Sequence, residues 1–397
     1  MSLSQASELH DEYIGAAEAL VPALAERAGD AEKARCVPEA TMAEVAAAGL
    51  LTAMVPSRFG GPGLGLRTVS EISRVLAHGC ASRSWVVGFL IEHNWQFARF
   101  GLQAQEELFA QDGCVLVAAQ LQPSGRLQRV DGGFRVTGRW AWCSASHQSD
   151  YAILAGLEAG DPASGERANA LVFIVPIGEL SRDDDWFTSG MRATTSLTLV
   201  AEDVFVPAHR TVPFAAFASE DNPGAAIHPE TVVGYPLGPS LALFAASVAV
   251  GAAEQTVALF KEQLASRVLF ATAGDTPAGR PRSQARLADA TVVLRTAQLL
   301  WRDGLDLLCD TADAGGRLTV QQRSWARLLA GKAVLAARDA ISTVCDGAGA
   351  SIYYERSAIQ RFQRDVETMK GHVVFDTDRS SVSYGQAALG LPFTDPF

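Results

Sequence analysis

Apolar positions along the first hundred residues recur at helical spacing. Ala16, Ala19, Leu20, Ala23, Leu24 and Arg27 form a 3.6-residue stripe, which Gly29-Asp30 is expected to break. Pro38 suits the first turn of a second helix that Gly49 would end. The glycine-rich stretch Val55 to Gly65 reads as a wide turn, because no strand precedes it and its spacing is not that of a dinucleotide fingerprint. A further helix carries Ser84 to Trp95, with Gly88, Ile91, Glu92 and Trp95 on one face and Val86, Leu90 and His93 on another. From Cys114 to Thr211 the period changes. CVLVAAQL, GGFRVTGRWAW, DYAILAGL, NALVFIVPI and SLTLVAEDVFVP are short apolar or alternating runs punctuated by Gly, Pro, Asp and Ser, as in a small barrel or sandwich. After a Pro/Ala/Gly-rich connection from Phe214 to Pro229, helical patterns return over Leu241–Gln263, Arg282–Asp310, Val320–Val344 and Ile359–Asp376. Asp313-Ala-Gly-Gly316 and Asp346-Gly-Ala-Gly349 would supply turns between them. The chain is therefore expected to be an α+β multidomain protein, with an N-terminal α-helical domain (1–112), a central β domain (113–215) and a C-terminal four-helix bundle (230–397).

Composition narrows the function. A chain of 397 residues with 48% hydrophobic and 19% charged content is long and apolar enough for a large core. Its formal net charge of -11, with no basic run interleaved with aromatics, argues against nucleic acid as a partner. The six cysteines are widely spaced and form no CxxC, which suits a reduced cytoplasm and points to no metal site. The first ten residues are polar and do not form a secretory signal. The apolar stretch from Tyr235 to Phe260 is interrupted by Pro236, Gly238, Pro239, Ser240, Ser247 and Gly251. It reads as a buried bundle helix and not a membrane span.

The densest chemistry lies in Trp140-Ala-Trp-Cys-Ser-Ala-Ser-His147. Two indoles, a thiol, hydroxyls and an imidazole at a strand end suit the floor of a site for a flat aromatic cofactor. No strand-coupled GxGxxG occurs, so a nicotinamide would have to be oxidised on another protein.

Three stretches then give the chain a family resemblance: Gly49-Leu-Leu-Thr-Ala-Met-Val-Pro-Ser-Arg-Phe-Gly-Gly61; Trp186-Phe-Thr-Ser-Gly-Met-Arg-Ala-Thr-Thr-Ser196 with Val204-Phe-Val-Pro-Ala-His-Arg210; and Arg364-Asp365 followed by His372 and Tyr384-Gly385. Over nearly its whole length the chain resembles the acyl-CoA dehydrogenase fold and, within it, the flavin-dependent monooxygenases of two-component systems. These include p-hydroxyphenylacetate hydroxylases and bacterial indole hydroxylases. The resemblance implies FAD in preference to FMN, used as FADH2, with O2 as co-substrate. It also implies a separate NAD(P)H:flavin reductase, a small-molecule aromatic substrate and a homotetramer.

By position, Trp142 and Ser144 match residues that lie against the isoalloxazine, and Gln120 matches the strand facing its pyrimidine edge. Arg267 and Phe270 match an Arg-x-x-Phe that reaches the pyrophosphate and adenine of a flavin in a neighbouring subunit. Gly347 and Gly349 match a glycine turn beside the cofactor. An acyl-CoA dehydrogenase needs a carboxylate base. The positions where that family carries one hold His372-Val373-Val374 and Ser240-Leu241 here, so dehydrogenation is not expected. An imidazole at 372 suits oxygenases, which must keep a flavin C4a-hydroperoxide hydrogen-bonded and dry. His372, Ser144 and His93 are the candidate catalytic residues. Some phenol hydroxylases of the family carry a His where this chain has Gln120. An indole-bearing or other heteroaromatic substrate is therefore favoured, with N-oxygenation of an amine or amino sugar as the alternative and a non-catalytic flavoprotein as the third reading.

Overall fold

The computed structural model describes residues 3–158, 169–266 and 277–392. Its N-terminal part is helical: α1 (Leu3–Glu26), α2 (Ala28–Ala34), α3 (Glu39–Ala47), α4 (Leu66–Ala77), α5 (Ala81–Phe97) and α6 (Leu102–Asp112). The first break falls at Arg27, not at Gly29-Asp30, which lie inside α2. Asp30 occupies the first turn of that helix, where a carboxylate meets the positive end of the helix dipole. Pro38 stands one residue outside α3, as its extended N-cap, and Gly49 follows the helix at φ 72°. Helix α5 is buried on nearly every face, packed between α4, the β region and two helices of the C-terminal part.

The β region is one seven-stranded sheet, not two stacked ones: β1 (Val117–Val130), β2 (Gly133–Cys143), β3 (Tyr151–Glu158), β4 (Ala170–Pro176), β5 (Ser181–Asp183), β6 (Leu197–Pro207) and β7 (Thr211–Pro213), in the order β5-β6-β2-β1-β3-β4-β7. One face, through Val117, Ile153, Val172 and Ile174, joins the helical core. The other curls around a core of its own, with Trp140, Leu127, Phe134, Phe173 and Leu199 fully packed. Trp140 donates its indole N–H to the Ala155 carbonyl at 2.7 Å. Its ring occupies the space beside Gly125 and Gly138, where a Cβ would approach to 2.3 and 2.8 Å. Beyond this point the ladder opens. β1 and β2 pair only from Arg126↔Thr137 to Val130↔Gly133, and the β2–β6 register shifts between Trp140 and Cys143.

The C-terminal part comprises α7 (Phe214–Ala218), α8 (Leu237–Ser266), α9 (Pro281–Asp313), α10 (Val320–Ala348), α11 (Ala358–Met369) and α12 (Thr377–Ala388). By length and composition α8 could cross a membrane, but 72% of its most apolar window is buried inside the protein, where it is a core helix. It begins four residues earlier than its apolar pattern suggests, with Pro239 in its first turn, where a missing N–H costs nothing. Arg99 stitches the Phe214-to-Tyr235 connection to the N-terminal part by donating to the carbonyls of Phe217, Ser219, Val233 and Tyr235, and burial pushes its pKa down to about 9.

The helix expected over Ile359–Asp376 is interrupted. His372 caps a 3-10 turn (Val373–Phe375), and Asp376 then caps α12 by accepting the Arg379 N–H at 2.9 Å. Two side chains that capture otherwise orphaned N–H groups thus compete successfully with helix continuation. Conversely, Asp346-Gly-Ala lies inside α10, and the break comes at Gly349, whose φ is 77°.

Candidate functional site

A cavity of about 600 Å³ opens where the sheet, α5 and the break between α11 and α12 meet. β1 contributes Gln120, the end of β2 contributes Trp142 and Ser144, and α5 contributes Trp85. The 186–196 loop adds Trp186, Met191 and Ser196, and the far wall runs from Thr368 to Val373. Six non-glycine residues have positive φ among the described residues; two of them, Trp142 (65°) and Met191 (53°), line this cavity, and Ala145 (63°) and Thr195 (49°) are chain neighbours of lining residues. Such strain persists where the surroundings over-determine it, and it clusters at functional sites. In the β2 bulge, Trp142 is 62% exposed, so much of its aromatic surface is left open by the described residues.

Hydrogen bonds polarise the floor. The Met191 carbonyl can only accept, and it takes the Trp186 indole N–H at 2.9 Å and the Thr194 hydroxyl at 2.9 Å. Thr194 Oγ1 is 2.6 Å from Ser196 Oγ, and Ser196 Oγ is 2.8 Å from Ser144 Oγ. With Thr194's proton committed, Ser196 donates to Thr194 and Ser144 donates to Ser196. Ser144 also accepts the Trp85 indole N–H at 3.1 Å. One lone pair remains on a hydroxyl that lines the cavity, so Ser144 presents an acceptor there.

His372 presents the opposite polarity. Its Nδ1 accepts the Val374 N–H at 3.2 Å, so the neutral ring carries its proton on Nε2. The residue is open to the cavity, yet the ring is flanked by Trp85 at 5.6 Å and Phe375 at 6.3 Å. Desolvation holds its pKa well below the usual imidazole value, and it is neutral at pH 7. Gln120 spans the gap between β1 and β2, donating to the Ala141 carbonyl at 2.9 Å and accepting the Gln122 N–H at 3.0 Å.

Asp365 pins these walls together. Buried on α11, it accepts the Met191 N–H at 2.5 Å and the Ser82 hydroxyl at 3.1 Å, tying the loop and the start of α5 to α11. Burial pushes its pKa up to about 6.

Other candidates lie elsewhere. His93 is not in the cavity wall. Its Nδ1–H donates to the Val117 carbonyl at 2.5 Å, in the buried seam of α5 and β1, and desolvation lowers its pKa to about 4. Gly347 sits where α10 crosses α9 and a Cβ would meet Arg286 at 2.5 Å, and neither it nor Gly349 lines the cavity. Arg267 and Phe270 lie outside the described residues. No group of metal-ligating side chains occurs among the described residues. Sequence reasoning did not single out Trp85, Trp186, Thr194, Ser196 or Asp365 as site residues, although all of them except Trp85 stand in the quoted family motifs.

Fold and site together define a flavoprotein of the acyl-CoA dehydrogenase architecture. Residues 8–112 match the family described as acyl-CoA dehydrogenase, N-terminal domain, and residues 243–377 the one described as acyl-CoA dehydrogenase, C-terminal domain. The chain is 32% identical to a pigment production hydroxylase of Rhodococcus sp. (strain ATCC 21145), over 97% of this chain and 98% of that one. It is also 32% identical to the flavin-dependent monooxygenase oxygenase subunit HsaA of Rhodococcus jostii (strain RHA1), over 95% and 98%. XiaF from Streptomyces sp., solved in complex with FADH2 and glycerol, superposes with a TM-score of 0.91 at 27% identity, covering 99% and 98% of the two chains. The chain belongs to the oxygenase components of two-component flavin-dependent monooxygenases. It is a monooxygenase that uses reduced flavin and O2 on aromatic small molecules, with the flavin reduced by a separate protein.

Proposed function

We propose that the cavity holds FADH2 and that this enzyme hydroxylates a fused heteroaromatic ring, an indole-bearing compound in the first instance. The observation that supports this reading is the paired polarity of the wall: an acceptor at Ser144 and a donor at His372 Nε2, between the flat faces of Trp85, Trp142 and Trp186. Bound reduced flavin supplies the electrons that activate O2, and its ring N–H suits an acceptor such as Ser144. A cavity of about 600 Å³ with an uncovered indole has the size and surface for a tricyclic ring. Trp142 would stack on that ring, and Gln120 would hold the β1–β2 seam that borders it. His372, neutral and with its proton on Nε2, would donate to the oxygen being activated and not act as a base, since its Nδ1 is already engaged. Gln120 stands where some phenol hydroxylases of the family have a His, which favours a substrate other than a simple phenol.

In this reading Arg267 and Phe270, with Gly347 and Gly349, serve the distal half of a flavin at a subunit contact of a homotetramer. The cytoplasm is the setting, in accord with six unpaired cysteines. The test is a single turnover with FADH2, O2 and indole, scored as product formed per oxygen consumed. Hydroxylated indole at a ratio that collapses in His372→Ala, with flavin still bound, is the expected result. Equal coupling in the variant would move the chemistry elsewhere. N-oxidised product from an amine, with none from indole, would replace the substrate class.

A further inference from the structure

Trp186 is a shared wall. On its other side lies a second cavity of about 350 Å³, also lined by Arg35, His147, Arg182, Asp184, Thr195 and Leu197. Its volume is in the range of small-molecule sites. Two guanidiniums and an imidazole meet one carboxylate there, although the chain as a whole carries a formal charge of -11. Asp184 is already engaged by both Arg35 amino groups, at 2.7 and 2.6 Å. The Arg182 guanidinium and the His147 ring have no hydrogen-bond or ion-pair partner among the described residues. Partial desolvation, reinforced by Arg182 and opposed by Asp184, lowers the pKa of the exposed His147 ring, which favours the neutral form with an N–H to donate.

The local backbone is built around these groups at a cost. Arg35 closes α2 at φ 52°, a left-handed position where glycine is the usual occupant. Its carbonyl accepts the hydroxyl of Thr195, itself at φ 49°. Its guanidinium stacks over Phe187 at 4.0 Å. A strained arginine at the cavity edge, beside a second arginine and an imidazole that make no ion pair among the described residues, gives this exposed pocket a positive rim over an apolar wall.

We propose that this second cavity binds an organic monoanion, a carboxylate on an apolar body, with Arg182 and His147 donating to the carboxylate and Leu197 and Trp186 packing on the body. The two arginines and Asp184 leave one net positive charge, which suits a carboxylate better than a phosphate dianion. The apolar wall calls for a carbon skeleton, not a bare ion.

The test is calorimetric titration of the full-length enzyme with benzoate, with the neutral benzyl alcohol and with inorganic phosphate, each with and without saturating FAD. The expected result is one-to-one binding of benzoate only, unchanged by FAD and weakened about tenfold or more in Arg182→Gln, which removes a charge-assisted hydrogen bond. Benzoate should also raise the titration midpoint of the His147 ring, followed by NMR. Arg182 is exposed, so the variant should melt with the wild type. Equal benzoate affinity in Arg182→Gln would overturn the site. So would equal binding of benzyl alcohol or phosphate, or displacement of benzoate by FAD.

Discussion

Two histidines, each neutral at pH 7, occupy contrasting regions. His93 lies in the α5–β1 seam and spends its Nδ1–H on the Val117 carbonyl, which leaves Nε2 as an acceptor 3.7 Å from buried Glu92. His372 lies in the break between α11 and α12 and takes the Val374 N–H on Nδ1, which leaves Nε2 as a donor in a cavity. Desolvation depresses both pKa values, although His93 is buried and His372 is open to the cavity, so a lowered pKa alone does not tell the two environments apart. The backbone group each ring meets does, because it decides which nitrogen is free and whether that nitrogen gives or takes a proton.

The largest test of this contrast is His372→Ala. The variant should fold and bind flavin, while product formed per oxygen consumed falls by ~10²-fold or more, the loss typical of one positioned proton donor. Ser144→Ala should come next, with flavin affinity or coupling reduced about tenfold, the scale of one lost hydrogen bond. His93→Ala should act on stability, costing about 1–3 kcal/mol because the Val117 carbonyl is left buried and unpaired, with turnover per folded molecule retained. A turnover loss matching that of His372→Ala would erase the distinction. Nitrogen NMR sharpens the point: His93 should carry its proton on Nδ1 and His372 on Nε2, and a shared tautomer would refute the assignment.

The subtlest test uses Asp365, which joins the two regions. Its folded pKa of about 6 exceeds the usual carboxylate value, so below that pH the native state binds the extra proton. Stability of the wild type relative to Asp365→Asn should therefore rise as the pH falls from 7 to 5 and be lost as it rises through 6. Thermal melts across that range check the sign.

The three-part organisation was legible because helical and strand periods change cleanly near Cys114 and again after Pro229. Trp142, Ser144, Gln120 and His372 stand in local motifs that the sequence exposes, and the fold brings all four to one cavity. Trp85 was not, since its role comes from a hydrogen bond to Ser144, 59 positions away. The relay through Ser196 and Thr194 was equally hidden, because its direction is fixed only by the Met191 carbonyl at its end. His93 drew attention by residue type, and periodicity could not reveal that a strand carbonyl had claimed its proton. The helix break at His372 depended on two side-chain caps, which a 3.6-residue pattern does not register.

The opened ladder at the end of β2 has a kinetic consequence. Around Ala141 and Trp142 the strand has left its register with β6 and its pairing with β1, and the Gln120 amide bridges the gap. Few backbone bonds need to break for this corner to swing away, so its amides should exchange with solvent ahead of the Trp140-centred core. A ligand stacked on Trp142 would close that corner and slow the exchange. Cofactor arrival and release would then be gated by a hinge in the sheet, and the rate at which reduced flavin is handed over would be set by the protein's own breathing.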